Sequence, residues 1–149
     1  MMKTKILMLL LPVLFAGAMA SAQIREIPKI VMETFSNQYP KATDSEFRDM
    51  LVKVEVSFEL EGDRMLATYS NKGLWRGTEK EMDYDTLADD IKTGFEKSKY
   101  ADWDIEETRM LFLPGGSHQF RILAAKSGLQ KKYLYFNTEG RLLRESVTL

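Results

Sequence analysis

The chain has 149 residues, with 21 lysines and arginines, 22 aspartates and glutamates, and a formal net charge of −1. This weak negative balance argues against a nucleic-acid partner, which would favour a concentrated basic patch, and against binding to an anionic membrane surface. The chain has no cysteine, which excludes disulfide bonds and thiolate metal sites, so the hydrophobic core alone must stabilise the fold.

The N-terminal segment predicts export. Residues 1–5 contain two lysines and no acid, residues 6–18 are almost wholly apolar, and residues 20–22 read Ala-Ser-Ala, a small-x-small cleavage pattern. The apolar run is shorter than the roughly 20 residues that a membrane-spanning helix needs. We therefore expect residues 1–22 to be a signal peptide and residues 23–149 to form one domain. Because no cysteine is present to carry a lipid, we expect a periplasmic or secreted protein that is neither lipid-anchored nor inserted in a membrane.

Two apolar stripes predict two helices. The apolar residues recur every four positions in both stripes, which places them along one side of a helix: Ile27, Val31 and Phe35, then Leu87, Ile91 and Phe95. The first helix is expected to start near Pro28 and to end before Pro40, because a residue before proline avoids the helical conformation. The second helix is expected to start after Asp85, a candidate N-cap, and to run to about Lys99.

Alternating apolar and polar residues predict antiparallel strands at 52–60 and 118–124. The stretches TYSNKGLW and YFNTEGRLL each predict a hairpin turn, because their glycines, Gly73 and Gly140, can adopt the positive φ that tight hairpins require. Further strands are expected at 43–50, 64–70, 74–82, 103–112, 131–136 and 141–147.

These elements predict the fold class α+β. We expect two copies of one plan, at about 24–82 and 83–149, each consisting of a helix followed by antiparallel strands. Neither copy could bury its apolar surfaces well alone. The two copies are therefore expected to combine, with the helices packed on one face of a single antiparallel sheet.

The stretch IPKIVMETFSNQYPKAT resembles the opening of the PepSY-like domains, also called β-lactamase-inhibitor-like (BLIP-like) proteins, which are small exported bacterial proteins. The turns around Gly73 and Gly140 also fit the pattern of that family, and the resemblance covers nearly the whole mature chain. The second helix departs from it, with Ala88 where proline is usual. The resemblance implies a helix-plus-antiparallel-sheet fold and no catalytic residues. It is carried by Ile27, Pro28, Val31, Phe35, Tyr39, Pro40 and Ala42.

No motif indicates an enzyme or a cofactor. His118 is the only histidine, and no serine or cysteine partner accompanies it, so an enzyme that uses His118 as a general base is the least favoured alternative. The acidic side chains within 79–90 raise a second alternative, a carrier of a small ligand or of calcium, but they lack the glycine and distal glutamate of an EF-hand loop. We therefore expect a non-enzymatic protein without a metal or cofactor.

Aromatic residues indicate a binding function. Trp75 follows a hairpin glycine, Tyr84 precedes the second predicted helix, and Trp103 follows it. Exposed tryptophans and tyrosines often dominate protein interfaces, so we predict these three residues as a candidate interface. Packing of the helix ends onto the sheet is the alternative role. The expected function is an exported module that binds a protein or peptide, with inhibition as one expected activity.

Overall fold

The computed structural model describes residues 25–148, so the predicted signal peptide, residues 1–22, lies outside the described residues. No helix within residues 25–148 is long and apolar enough to span a bilayer. The described residues form one 3-10 turn, Tyr84–Thr86, two α-helices, α1 Lys29–Gln38 and α2 Asp89–Glu96, and eight strands: β1 Thr43–Asp49, β2 Lys53–Leu60, β3 Asp63–Ser70, β4 Trp75–Met82, β5 Asp104–Phe112, β6 His118–Ala125, β7 Lys131–Phe136 and β8 Leu142–Val147.

The eight strands of the described chain form one antiparallel sheet, and strands that are consecutive in sequence are neighbours in the sheet. The sheet is therefore a meander with β1 and β8 at its two edges. The predicted strands are confirmed, and each strand starts and ends within one residue of its predicted bounds. In β2 the alternation is visible in the burial, because Val54, Val56 and Phe58 are buried and the residues between them are not.

The predicted fold class, α+β with two helix-then-strand repeats and a layer of helices on one face, is wrong. The described chain is instead mainly an eight-stranded antiparallel sheet with two short helices of ten and eight residues. Helices of this length extend about 12 to 15 Å, whereas an eight-residue strand extends about 26 Å, so the helices cover only part of the sheet. The domain bounds 23–149 stay a prediction.

The apolar stripes suggested longer helices because their first residues lie outside the helical turns. Ile27 precedes α1, and Leu87 is extended, with φ −64° and ψ 149°, between the 3-10 turn and α2. The second helix consequently begins at Asp89 rather than after Asp85. Each helix buries only the remaining two residues of its stripe.

One face of the sheet carries two clusters of buried apolar side chains. Under α1, Val31 and Phe35 pack on β2 and β3, against Val54, Val56, Phe58, Ala67 and Tyr69. Under α2, Ile91 and Phe95 pack on β6 and β7, against Ile122, Ala124, Leu134 and Phe136. Each large side chain buried in this way stabilises the fold by about 1.5 to 3 kcal/mol. We call this side of the sheet the helix-bearing face and the opposite side the helix-free face.

Both hairpin glycines lie against a helix. Gly140 has φ +75°, and a Cβ added there would lie 1.9 Å from the carbonyl oxygen of Asp90 in α2. Gly73 has φ +79°, and its added Cβ would lie 2.7 Å from Cγ1 of Ile30 in α1. Gly94 in α2 allows the same close approach of α2 to the turn at Gly140, because a Cβ at Gly94 would lie 1.9 Å from the Gly140 carbonyl oxygen. Glycine is thus required at the turns for its positive φ and for the close approach of the helices.

Glu145 joins the edge strand β8 to the segment after α2. Its carboxylate accepts hydrogen bonds from the Tyr100 hydroxyl and from the Lys132 ammonium, at 2.9 Å for the latter, and the Lys99 ammonium lies 3.3 Å away. The hydrogen bond from Tyr100, followed by that from Lys132, lowers the pKa of Glu145 to about 2. The folded protein therefore holds this carboxylate charged even in mildly acidic solution.

We expect Glu145→Gln to lower the melting temperature at neutral pH and to have no effect near pH 2. The pKa of Glu145 in the folded protein, about 2, lies below its ordinary value of 4.5, so its stabilisation is complete above pH 4.5 and is lost as the pH falls towards 2. Thermal denaturation of both proteins between pH 7 and 2 measures this, with Glu33→Gln on the exposed side of α1 as the control. A difference in melting temperature that persisted unchanged at pH 2 would contradict the prediction.

Candidate interface on the helix-free face

Four charged side chains lie together at the centre of the helix-free face. Thr78, Thr108 and Ile122 are buried on the helix-bearing face of β4, β5 and β6. Because side chains alternate along a strand, their neighbours in sequence point to the opposite side. The antiparallel register of the three strands then brings together Glu79, Glu107, Arg109 and Arg121, which we call the charge network.

Each arginine of the charge network binds both glutamates. Arg121 donates two hydrogen bonds to Glu79, from Nη1 to Oε1 at 2.9 Å and from Nη2 to Oε2 at 2.8 Å, and a third to Glu107 at 3.2 Å. Arg109 donates to Glu79 at 3.2 Å and to Glu107 at 3.1 Å. The four side chains expose between 14% and 28% of their surface, so the network is shielded from water more than an ordinary surface ion pair.

The charge of Arg121 is secured by its partners. Burial is the largest single effect and disfavours the charged guanidinium, but the charges and hydrogen bonds of Glu79 and Glu107 together outweigh it, so the pKa of Arg121 is raised above its usual value. Two positive and two negative side chains therefore face each other in fixed positions. What this arrangement offers chemically is a rigid pattern of donors and acceptors for recognition.

Two tyrosines of β7 extend the charge network towards the sheet edge. The Arg121 guanidinium lies 4.7 Å from the ring centre of Tyr133, and the Arg144 guanidinium of β8 lies 3.3 Å from that of Tyr135. The register places Arg109 opposite Arg121, Arg121 opposite Tyr135, and Tyr135 opposite Arg144. These residues form one row across four strands, and arginine and tyrosine are the residue types that recur in protein interfaces.

The three residues that the sequence predicted as an interface lie on the other side, packed against the core clusters. Trp75 packs on the cluster under α1. Trp103 packs edge-on against Tyr100 at 4.9 Å, and Tyr84 packs edge-on against Phe95 at 6.0 Å, both at the cluster under α2. All three are partly buried, and their role in binding stays a prediction.

A buried hydroxyl connects the end of α1 to β4. The Thr78 Oγ1 atom lies 2.6 Å from the Tyr39 hydroxyl and accepts a hydrogen bond of 2.9 Å from Nε1 of Trp75. Thr108, on the neighbouring strand, is also buried, but its Oγ1 has no hydrogen-bond partner among the described residues. Thr78 and Thr108 are therefore both buried on central strands, but only the hydroxyl of Thr78 is hydrogen-bonded among the described residues.

The other groups that the sequence analysis considered are dispersed. His118 is exposed and lies edge-on against Phe112, at 5.1 Å. Within the acidic stretch 79–90, Glu79 belongs to the charge network and Asp89 pairs with Lys92 at 3.4 Å. Between residues 25 and 148, no group of three or more histidine or acidic side chains is arranged to hold a metal ion.

A groove of about 220 Å³ lies where β4 ends and β5 begins, beside Met82, Tyr84, Ile105 and Thr108. Pockets that enclose a small organic ligand usually measure about 300 to 1,000 Å³. This groove is smaller. A second, more open groove of about 340 Å³ lies beside Asp63, Arg64 and Glu81, and its volume is within that range. Cavity volume therefore does not decide against the small-ligand alternative.

No family model matches the chain, and no curated protein matches its sequence. Several solved structures have a similar fold. A DUF2874 family protein from Bacteroides ovatus is 22% identical, with a TM-score of 0.75 over 83% of this chain and 89% of that chain. A BLIP-like protein from Bacteroides fragilis is 23% identical, with a TM-score of 0.75 over 85% of this chain and 89% of that chain. An inferred periplasmic protein from Bacteroides eggerthii is 17% identical, with a TM-score of 0.73 over 83% and 90% of the two chains.

These similarities support the BLIP-like part of the resemblance stated from the sequence. At such identities they show a shared fold and no more. The PepSY-like part stays a prediction.

Sequence reasoning did not identify the charge network, although one signal for it was present. The alternation in 118–124 places Arg121 away from the core, and Glu107 and Arg109 share one side of β5. Their proximity to Glu79 depends on how β4, β5 and β6 pair, and that register is not written in any local pattern.

Proposed function

We propose that this protein is an exported, non-enzymatic module that binds a protein or peptide through the helix-free face of its sheet. The observation that carries the proposal is the row of arginines and tyrosines across β5 to β8, held in place by the charge network. A rigid surface of this kind loses little conformational entropy on binding, which favours affinity. The BLIP-like fold of the Bacteroides fragilis protein is consistent with a protein partner, and inhibition of that partner is one form the activity would take.

Export rests on the N-terminal sequence, with its basic start, apolar run and Ala-Ser-Ala cleavage pattern. A fold similar to that of an inferred periplasmic protein agrees with this assignment. Catalysis is disfavoured because the central polar residues are paired with each other and because strand alternation places His118 on the opposite face of β6 from Arg121.

A pair of matched substitutions tests which face binds. Ser146→Arg places a bulky charge on the helix-free face of β8, opposite Tyr133, and Ser36→Arg places the same side chain on the exposed surface of α1. The partner is first captured on immobilised protein from an envelope extract, identified and purified. We expect Ser146→Arg to weaken its binding by at least about tenfold and Ser36→Arg to have little effect, since a bulky charged side chain opposite Tyr133 and two residues from Arg144 obstructs contact with the row.

The converse result would reassign the interface. If Ser36→Arg abolished binding while Ser146→Arg did not, the partner would bind the helix-bearing face, where Trp75, Trp103 and Tyr84 lie. Circular dichroism of both variants is the control for folding.

A further inference from the structure

Two arginine–tyrosine stacks lie on the helix-free face of β6 to β8, and within the described chain only one of the two arginines holds a carboxylate. In the inner stack, Arg121 lies over Tyr133 and its guanidinium edge holds the carboxylate of Glu79 through two hydrogen bonds. In the outer stack, Arg144 lies over Tyr135, closer than in the inner stack, at 3.3 Å from the ring centre. Among the residues that the structure describes, no carboxylate lies within 4.0 Å of Arg144.

The stack with Tyr135 prepares Arg144 for binding. It fixes one flat side of the guanidinium and covers Tyr135, which is only 8% exposed, while Arg144 itself is exposed. The planar edge of a guanidinium presents paired N–H donors whose geometry matches a carboxylate. Since the side chain is already ordered by stacking, less conformational entropy is lost when its hydrogen bonds form.

We propose that Arg144 is a recognition residue that binds an aspartate or glutamate side chain of the partner. This inference rests on the proposed function, because it names the chemistry of the partner at the same face. Charge complementarity supports this assignment, because the inner stack shows, within this chain, how a tyrosine-stacked arginine holds a carboxylate. The charge network beside it is already balanced, so Arg144 supplies the uncompensated positive charge of the row.

The test uses a random peptide library selected on the purified protein. Peptides that bind are synthesised in two forms, one with their acidic residues and one with the corresponding amides, and their affinities are measured by calorimetry. We expect the acidic form to bind the wild type at least about tenfold more tightly, the range typical of a hydrogen bond between charged groups. We expect Arg144→Gln to remove that preference and Arg144→Lys to retain part of it.

Arg76→Gln is the matched control, because Arg76 is also exposed, lies on β4, and has no carboxylate within 4.0 Å among the described residues. This variant should keep the full preference for the acidic form. Vesicles with and without anionic lipid are tested alongside, and binding to them that depends on Arg144 would overturn the inference in favour of a membrane surface.

The two proposals fail in different ways. If Ser146→Arg blocks the peptides but the acidic and amide forms bind equally, the helix-free face binds and the role of Arg144 is refuted. If neither Ser146→Arg nor Arg144→Gln affects any selected peptide, both proposals are refuted. If Arg144→Gln does not fold, Arg144→Lys is measured in its place. If Arg144→Lys keeps both the full preference for the acidic peptides and the full affinity for them, paired hydrogen bonds from a planar guanidinium are refuted.

Discussion

Replacing Gly140 by alanine is expected to lower the free energy of unfolding by about 3 kcal/mol or more. Two effects add at this position. The backbone has φ +75°, which costs a residue with a Cβ about 1 to 2 kcal/mol, and the new methyl group would lie 1.9 Å from the Asp90 carbonyl oxygen. Because that contact involves backbone atoms, α2 itself would have to move, and Ile91 would lose part of its packing in the cluster below.

Gly116→Ala separates these two effects. Gly116 has nearly the same backbone conformation, φ +77°, but nothing lies within 4 Å of an added Cβ. We therefore expect only the backbone cost of about 1 to 2 kcal/mol there. Equilibrium unfolding in urea measures both variants, and equal losses would show that the contact between α2 and the β7–β8 turn is not what makes Gly140 indispensable.

Thr78→Val is expected to destabilise the protein by about 2 to 3 kcal/mol, although valine is more apolar and favours strands. The side chain is 1% exposed, so a hydroxyl removed there leaves the Tyr39 hydroxyl and the Trp75 Nε1 without their shared partner. Leaving a buried polar group without a hydrogen bond lowers the free energy of unfolding by about 1 to 3 kcal/mol, which exceeds the stabilisation from burying one added methyl group.

Thr108→Val is the matched control for this prediction. Thr108 is also on a central strand and 3% exposed, but its hydroxyl has no partner among the described residues. Its replacement is expected to change the free energy of unfolding by less than about 0.5 kcal/mol, or to stabilise the protein slightly. Similar losses at both positions, measured by urea unfolding, would contradict the assigned role of the Thr78 hydroxyl.

The sequence was sufficient to locate the strands but not to predict how short the helices are, and the predicted fold class was wrong for that reason. Val54, Val56 and Phe58 alternate with polar residues and are buried as that pattern requires. The helical stripes were misleading because a spacing of four does not show where helical backbone begins. Leu87 belongs to the core cluster under α2 while its backbone is extended, so burial and helical conformation are separate properties there.

The candidate site was less accessible to sequence reasoning. Tryptophan is frequent in binding sites, and on that ground the sequence predicts Trp75 and Trp103 in an interface. Trp75 packs on the core and donates a hydrogen bond to Thr78, so its role in binding stays a prediction. The surface proposed here depends instead on contacts between distant residues, since Glu79 and Arg121 are 42 positions apart in the chain. Such contacts follow from the pairing of strands, which no single motif specifies.

The consecutive strand order also has a consequence for how the chain reaches its native state. Every pairing in the sheet joins segments that follow each other along the chain, so low contact order is built into this topology. The hairpins can form one after another along the chain. Only the connection from β4 to β5, which contains α2, requires the closure of a longer loop. A chain that emerges progressively from one end therefore forms its native strand pairs without waiting for its two ends to meet.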